Sequence, residues 1–259
     1  MNLPTDSNDP SNASTPNQAL ATALGRSLWF RSAPQALQSA LLAAGREVRL
    51  LAGERLFMRG DADSGLYCVI DGLVRIGAAS FAGKEALLAV IEPVNWFGEI
   101  ALFDDRARTH DAYAERDSTL FHVPRTALLA LLEATPAWWH TFGLLLTQKL
   151  RLAFEAIEEA ALLPAAQRVA RRLMLMAGGF DNTQAETAQP TRVVKVPQED
   201  LAMMLALSRQ TINQILRQFE MQGALKLRYA EIEIVDAKKL AALADVTESD
   251  GTESKKGRA

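Results

Sequence analysis

The sequence of 259 residues contains one cysteine, Cys68. A lone thiol closes no internal disulfide and cannot supply the four thiolates of an iron-sulfur cluster, which suits a reducing compartment. Cys68 stands in the apolar run GLYCVI, where a buried strand residue is expected. No apolar run reaches the roughly 18 residues of a membrane span, and no segment joins a basic start to an apolar stretch as a signal peptide does. The chain is therefore expected to be cytoplasmic, without a membrane partner. GxGxxG, P-loop, GxSxG and HExxH patterns are all missing, so catalysis has no visible apparatus and no enzyme is expected.

Excess charge is lacking too. The formal net charge is -3, which argues against a protein that coats nucleic acid without regard to sequence. The average hides a lean: residues 165 to 245 carry eleven Lys and Arg against nine Asp and Glu, whereas residues 25 to 164 carry fourteen against seventeen. Length favours two domains with tails. Residues 1–24 are mostly Asn, Ser, Thr, Asp and Pro, and residues 246–259 are similar, so both read as solvated tails.

Between Val48 and Val123 short apolar runs (LYCVI, LVRI, LLAVI, TLFHV) alternate with turn-rich segments. Asp71-Gly72 between two of them signals a tight hairpin, and an antiparallel barrel or jelly roll over residues 25–135 follows. Pro136 opens a helix running to Leu163, within a segment 136–164. Trp139, Gly143, Leu146, Leu150, Ala153, Ile157 and Ala160 fall at heptad spacing, with a second row at Leu145, Leu152 and Ala156. One row can pack on the roll and leave the other for a second copy; a helix wrapped wholly against its own domain is the alternative. Residues 165–245 then give a helix ending at Gly178-Gly179, a strand-like RVVKV, two short helices and the alternating ALKLRYAEIEIV. That order predicts a winged helix-turn-helix, making the whole chain α+β.

In SRQTINQILRQF, Ser208 is a favoured N-cap, and Ile212, Ile215, Leu216 and Phe219 form one buried stripe. The other face offers Arg209, Gln210, Asn213, Gln214 and Arg217, with Thr211 in the first turn. Flat bidentate groups of this kind match base edges in the major groove, Arg to guanine and Gln or Asn to adenine. Arg192, Lys195, Arg217, Lys226 and Arg228 can supply phosphate contacts. A plain solvated amphipathic helix is the competing reading. Ala206 occupies the preceding turn, where a positive φ would cost alanine on the order of 1 kcal/mol.

A second motif, FGEIALFDDRART, joins Gly98, Glu99 and Ile100 at the start of a short helical turn to Arg108 and Thr109. Backbone N-H groups can cradle a phosphate there, a guanidinium can pair with it, and a carboxylate can accept a sugar hydroxyl. His110-Asp111 has the look of a metal-binding pair, but only His122 and His140 remain to complete a ligand set, so no metal is expected.

GERLFMRGDADSGLYCVIDGLVRI, WFGEIALFDDRART, the long helix and LSRQTINQIL occur in the order of the Crp/Fnr family of bacterial transcription regulators, which the chain resembles from about residue 27 to 240. The resemblance implies a cyclic-nucleotide-binding jelly roll, a dimerising helix and a winged helix. It implies Glu99 at a ribose hydroxyl, Arg108 and Thr109 at a cyclic phosphate, Gly98 and Ile100 lending the turn, and an effector that is a cyclic nucleotide or related molecule. It further implies a homodimer on an inverted-repeat DNA site, with Arg209, Gln210 and Gln214 at base edges beside Ser208, Thr211, Asn213 and Arg217, and RNA polymerase as a partner. Two departures stand out. The Thr-Ser pair that meets adenine in cyclic-AMP receptors is replaced by Ala153 and Phe154, and Gln210 and Gln214 stand where many relatives have Glu and Arg. A signalling module acting through protein contacts is the rival function.

Overall fold

The computed structural model describes residues 16–62, 65–79, 85–178, 193–228 and 231–245. Three helices come first: α1 (Pro16–Leu24), α2 (Leu28–Ser32) and α3 (Gln35–Ala44). Residues 16–24, expected to belong to a solvated tail, form α1 instead. Leu24 is buried and Leu20 packs on the same core, and that apolar contact holds α1 despite its polar surroundings.

The β domain contains β1 (Arg46–Leu50), β2 (Arg55–Phe57), β3 (Gly65–Ala79), β4 (Glu85–Ile91), β5 (Trp96–Phe97) and β6 (Asp111–Pro124), with α4 (Ile100–Asp104) before β6. All pair antiparallel in one sheet, β3 and β6 forming its centre. Strand alternation sends β3 and β6 into two cores at once. Leu66, Cys68, Phe121 and Val123 join the helices, while Tyr67, Val69, Ala112, Ala114 and Leu120 form a second cluster with Leu50, Phe57 and Phe97.

Asp71-Gly72 makes no hairpin. β3 runs through it, the register against β6 shifts on either side of Asp71, and Gly72 sits at φ 101°. The positive φ expected there is present, but it serves a bulge. A Cβ on Gly72 would meet Ser118 Oγ at 2.1 Å, so close approach of β6 accounts for the glycine.

After α5 (Arg125–Ala134), a 3-10 turn (Pro136–Trp138) leads into α6 (Trp139–Leu162); Leu163 is already extended. The helix divides along its length more than by heptad row. Phe142 and Leu145 are buried against the β domain, whereas Leu150, Phe154 and Ile157 are 51%, 61% and 64% exposed. Phe142 meets Trp29 edge to face with centroids 5.4 Å apart, and Trp29 Nε1 donates to the Thr141 carbonyl at 2.8 Å.

The C-terminal domain comprises α7 (Ala165–Gly178), β7 (Val193–Val194), α8 (Gln198–Leu205), α9 (Arg209–Met221), β8 (Leu225–Arg228), β9 (Glu231–Ile234) and α10 (Ala237–Asp245). Its sheet order is β7-β9-β8. Of RVVKV, Val193–Val194 are strand and Lys195–Val196 are not, and α10, which no turn signal announced, packs against α7 through the buried Leu240. Arg192 and Gly179 lie outside the described residues.

Phe142→Ala should cost about 3–5 kcal/mol, the range for emptying a fully buried aromatic site. Urea denaturation monitored by tryptophan fluorescence measures it.

Candidate functional site

A cavity of about 320 Å³ lies between the β domain and α6, within the size range of small-molecule sites. Much of its wall is apolar, from Ile76, Leu88, Trp96, Leu145 and Leu152 among others. All of the FGEIALFDDRART candidates reach it: Gly98, Glu99, Ile100, Arg108 and Thr109.

The local chain explains their placement. Gly98 takes φ 95° at the end of β5, and a Cβ there would stand 2.8 Å from both Arg108 Nη1 and the Gly65 carbonyl. Arg108 is buried; Nη1 donates to the Gly98 carbonyl at 3.0 Å and Nη2 to the Gly65 carbonyl at 2.6 Å. Its guanidinium carbon lies 4.4 Å from the centroid of the Phe57 ring. These contacts fix the plane of a permanent cation on the cavity wall. Ile100 opens α4 and is partly exposed.

Glu99 is only 2% exposed, and its Oε2 lies 2.5 Å from Lys149 Nζ on α6. Lys149 belongs to no motif of the sequence. It lies four residues after Leu145 and three before Leu152, so a lysine interrupts an otherwise apolar stripe, and such a charge needs a nearby partner. Thr109 Oγ1 meets His110 Nδ1 at 2.8 Å. Burial, followed by the charge of Arg59, holds the His110 imidazole below its usual pKa against the pull of Asp111, so it is neutral at pH 7. Among the described residues no group of three or more His, Cys, Asp or Glu is arranged to hold a metal.

The second candidate surface is on α9. Ser208 caps it, accepting from the Thr211 N-H at 3.0 Å, and Thr211 Oγ1 lies 2.8 Å from Ser208 Oγ. Ile212, Ile215, Leu216 and Phe219 are buried as the periodicity requires. Arg209, Gln210, Gln214 and Arg217 are exposed together on the other side. Asn213 differs: it is half-buried, and its amide donates to Gln198 Oε1 on α8 at 3.0 Å, which braces the two helices. Ala206, in the intervening turn, adopts φ 51° and ψ 41°. Arg168 of α7 donates to the Leu205 carbonyl at the end of α8. Of the other basic residues assigned to phosphate, Lys195 lies 3.8 Å from Glu231 and Arg228 pairs with Glu233 at 2.8 Å.

Residues 47–135 match the family of cyclic nucleotide-binding domains, and residues 167–243 match the Crp-like helix-turn-helix domain. The chain belongs to the Crp/Fnr family. It is a DNA-binding transcription regulator with an effector-binding domain, and the family is not enzymatic. A Crp-like cAMP-activated global transcriptional regulator of Mycobacterium tuberculosis is 27% identical over 218 residues, covering 84% of this chain and 96% of that protein. The crystal structure of a Crp/Fnr family transcriptional regulator from Thermus thermophilus superposes with a TM-score of 0.62 at 26% identity, over 78% of this chain and 99% of that one. The c-di-GMP responsive global regulator CLP of Xanthomonas campestris has the same fold as this chain, with a TM-score of 0.63 at 20% identity over 78% of this chain and all of that one. Among the described residues no helix is long and apolar enough to cross a membrane.

Two substitutions test this geometry. Lys149→Met should destabilise the protein by about 1.5–3 kcal/mol, the worth of a hydrogen bond to a charged group, and Lys149→Arg, which keeps a cation beside Glu99, should avoid most of that loss. Ala206→Gly should raise stability by about 0.5–1 kcal/mol, because glycine adopts the left-handed conformation without a Cβ penalty. Chemical denaturation at pH 7 measures both.

Proposed function

We propose that the chain acts as a homodimer on an inverted-repeat DNA site, contacting RNA polymerase under the control of a phosphate-bearing effector in the β domain. The sorting of α9 carries the reading. An apolar stripe faces inward, while two guanidinium and two amide side chains stand outward beside a serine-capped end. Ser208 and Thr211 act by capping, and Asn213 by bracing α8, so base contact falls to Arg209, Gln210, Gln214 and Arg217. The part of the proposal that names RNA polymerase is supported by the class of the relatives, which are regulators of transcription.

The pairing of two copies is supported by α6. Leu150, Phe154 and Ile157 recur at i, i+4 and i+7 on its outer half, an apolar stripe open to solvent. A second copy of the same helix covers such a stripe symmetrically. Two readers related by that axis would meet half-sites about 34 to 36 Å apart.

For the effector, Arg108, the Gly98 turn and Thr109 suit a phosphate, and Glu99 suits a sugar hydroxyl. The base is another matter. Ala153 lines the cavity from α6 where cyclic-AMP receptors offer adenine a hydroxyl, and its methyl group cannot supply that hydrogen bond. We therefore assign the site to a cyclic nucleotide or related phosphate-bearing molecule, with cyclic AMP disfavoured.

Selection from a random duplex library should return a palindromic site. Arg209→Ala and Gln210→Ala should each weaken binding to it by about 1–3 kcal/mol in a gel-shift assay; full activity in both variants would leave a module acting through protein contacts. Ile157→Glu should yield monomers by sedimentation, with the palindromic binding lost. In calorimetry against cyclic mono- and dinucleotides, the best ligand should bind more tightly than cyclic AMP. Arg108→Lys, which removes the bidentate fork, should weaken that ligand about tenfold or more.

A further inference from the structure

The ribbon formed by β3 and β4 is a wall with two occupied sides. Ile76, Leu88, Ala89 and Ile91 line the cavity. Arg75, Gly77, Ala86 and Leu87 line a separate groove, which also contains Met203 of α8. The ladder pairs Ile76 with Ala89 and Gly77 with Leu87, and the register shifts between the two pairs, which leaves Leu88 as the extra residue. The first helix of the DNA-reading pair thus rests on the back of the strands that bound the effector cavity, and α8 packs directly against β4.

One ionic contact holds that seat. Arg75 Nη1 lies 3.1 Å from Glu115 Oε2 within the sheet, and Nη2 lies 3.3 Å from Asp200 Oδ1 on α8. Asp200 is buried at 6% exposure. A carboxylate so placed is tolerated beside its cation, and without that cation the favourable response is for α8 to move out into water.

We propose that Arg75 is a positioning residue that latches α8 to the β domain, and that the β3-β4 ribbon couples the effector cavity to this latch. The proposal rests on the reading of the cavity as an effector site. While α8 is seated, the orientation of α9 is set by the β domain instead of by the spacing of DNA grooves. Opening the latch frees the reader, so effector-free affinity for DNA rises. A ligand that shifts Ile76 or Ala89 moves the backbone that carries Arg75 and Leu87, and so acts on the same equilibrium.

Effector-free wild type, Arg75→Met, Asp200→Asn and the double variant are compared by hydrogen-deuterium exchange and by titration with the duplex that wild type selects from a random library. Arg75→Gln replaces Arg75→Met should the latter fail to fold. Each single variant should exchange faster in α8 and β4, with α3 and α5 unchanged, and should bind the duplex about fivefold or more tightly. Both single changes remove the Arg75–Asp200 contact, and Arg75→Met removes the Glu115 contact as well, so the double variant should open α8 no further than Arg75→Met alone. Unchanged exchange in α8, unchanged or weaker DNA binding, or additive effects in the double variant would overturn the latch. If wild type selects no duplex, the DNA reading fails while the exchange measurements still decide whether the latch exists. If Arg75→Met opens α8 but Ile76→Ala leaves its exchange untouched, the coupling to the cavity is wrong although the latch stands.

Discussion

The structure depends on a constraint that belongs to any extended chain: successive side chains leave a strand on opposite faces. β3 and β6 use it fully. Their alternate residues close the helical core on one side and a sheet core on the other, so neither core can be repacked without moving the other. Further along β3 the same alternation places a cavity wall and the seat of α8 back to back. A bulge at Gly72 and another between Ile76 and Gly77 let one strand change its partners along its length without breaking the ladder.

Electrostatics in the molecule follow burial. The charged groups of the cavity are held by other protein groups: Arg108 by two carbonyls and an aromatic face, Glu99 by Lys149. Groups fixed in this way lose little orientational freedom when a ligand arrives, which favours selectivity by shape and charge together. The outward residues of α9 are different: Arg209, Gln210, Gln214 and Arg217 are exposed, which suits the adaptable base contacts proposed for them.

Much of this was legible in the sequence because it is local. The cap at Ser208, the stripe Ile212, Ile215, Leu216, Phe219 and the positive φ of Gly72 all follow from neighbours within a few positions. What the sequence could not place was long-range. Asp71-Gly72 carries the chemistry of a hairpin turn, yet its meaning was set by Ser118 more than forty residues away. α1 looked too polar to fold because its anchor, Leu24, faces a core assembled from later segments. Asn213 matched the pattern of a base-reading residue, and only the approach of Gln198 shows its amide already engaged.

Under the proposed reading of α9, that bond between Asn213 and Gln198 limits how much sequence a single copy can distinguish. Four outward side chains remain, and each bidentate contact separates right from wrong bases by about 1–3 kcal/mol. A word so short recurs throughout any genome, where roughly a million or more competing sites dilute a lone reader. In the homodimer proposed above, discrimination comes from joining two short words at a fixed separation, which makes the rigidity of the link between copies as important to target choice as the proposed reading residues themselves.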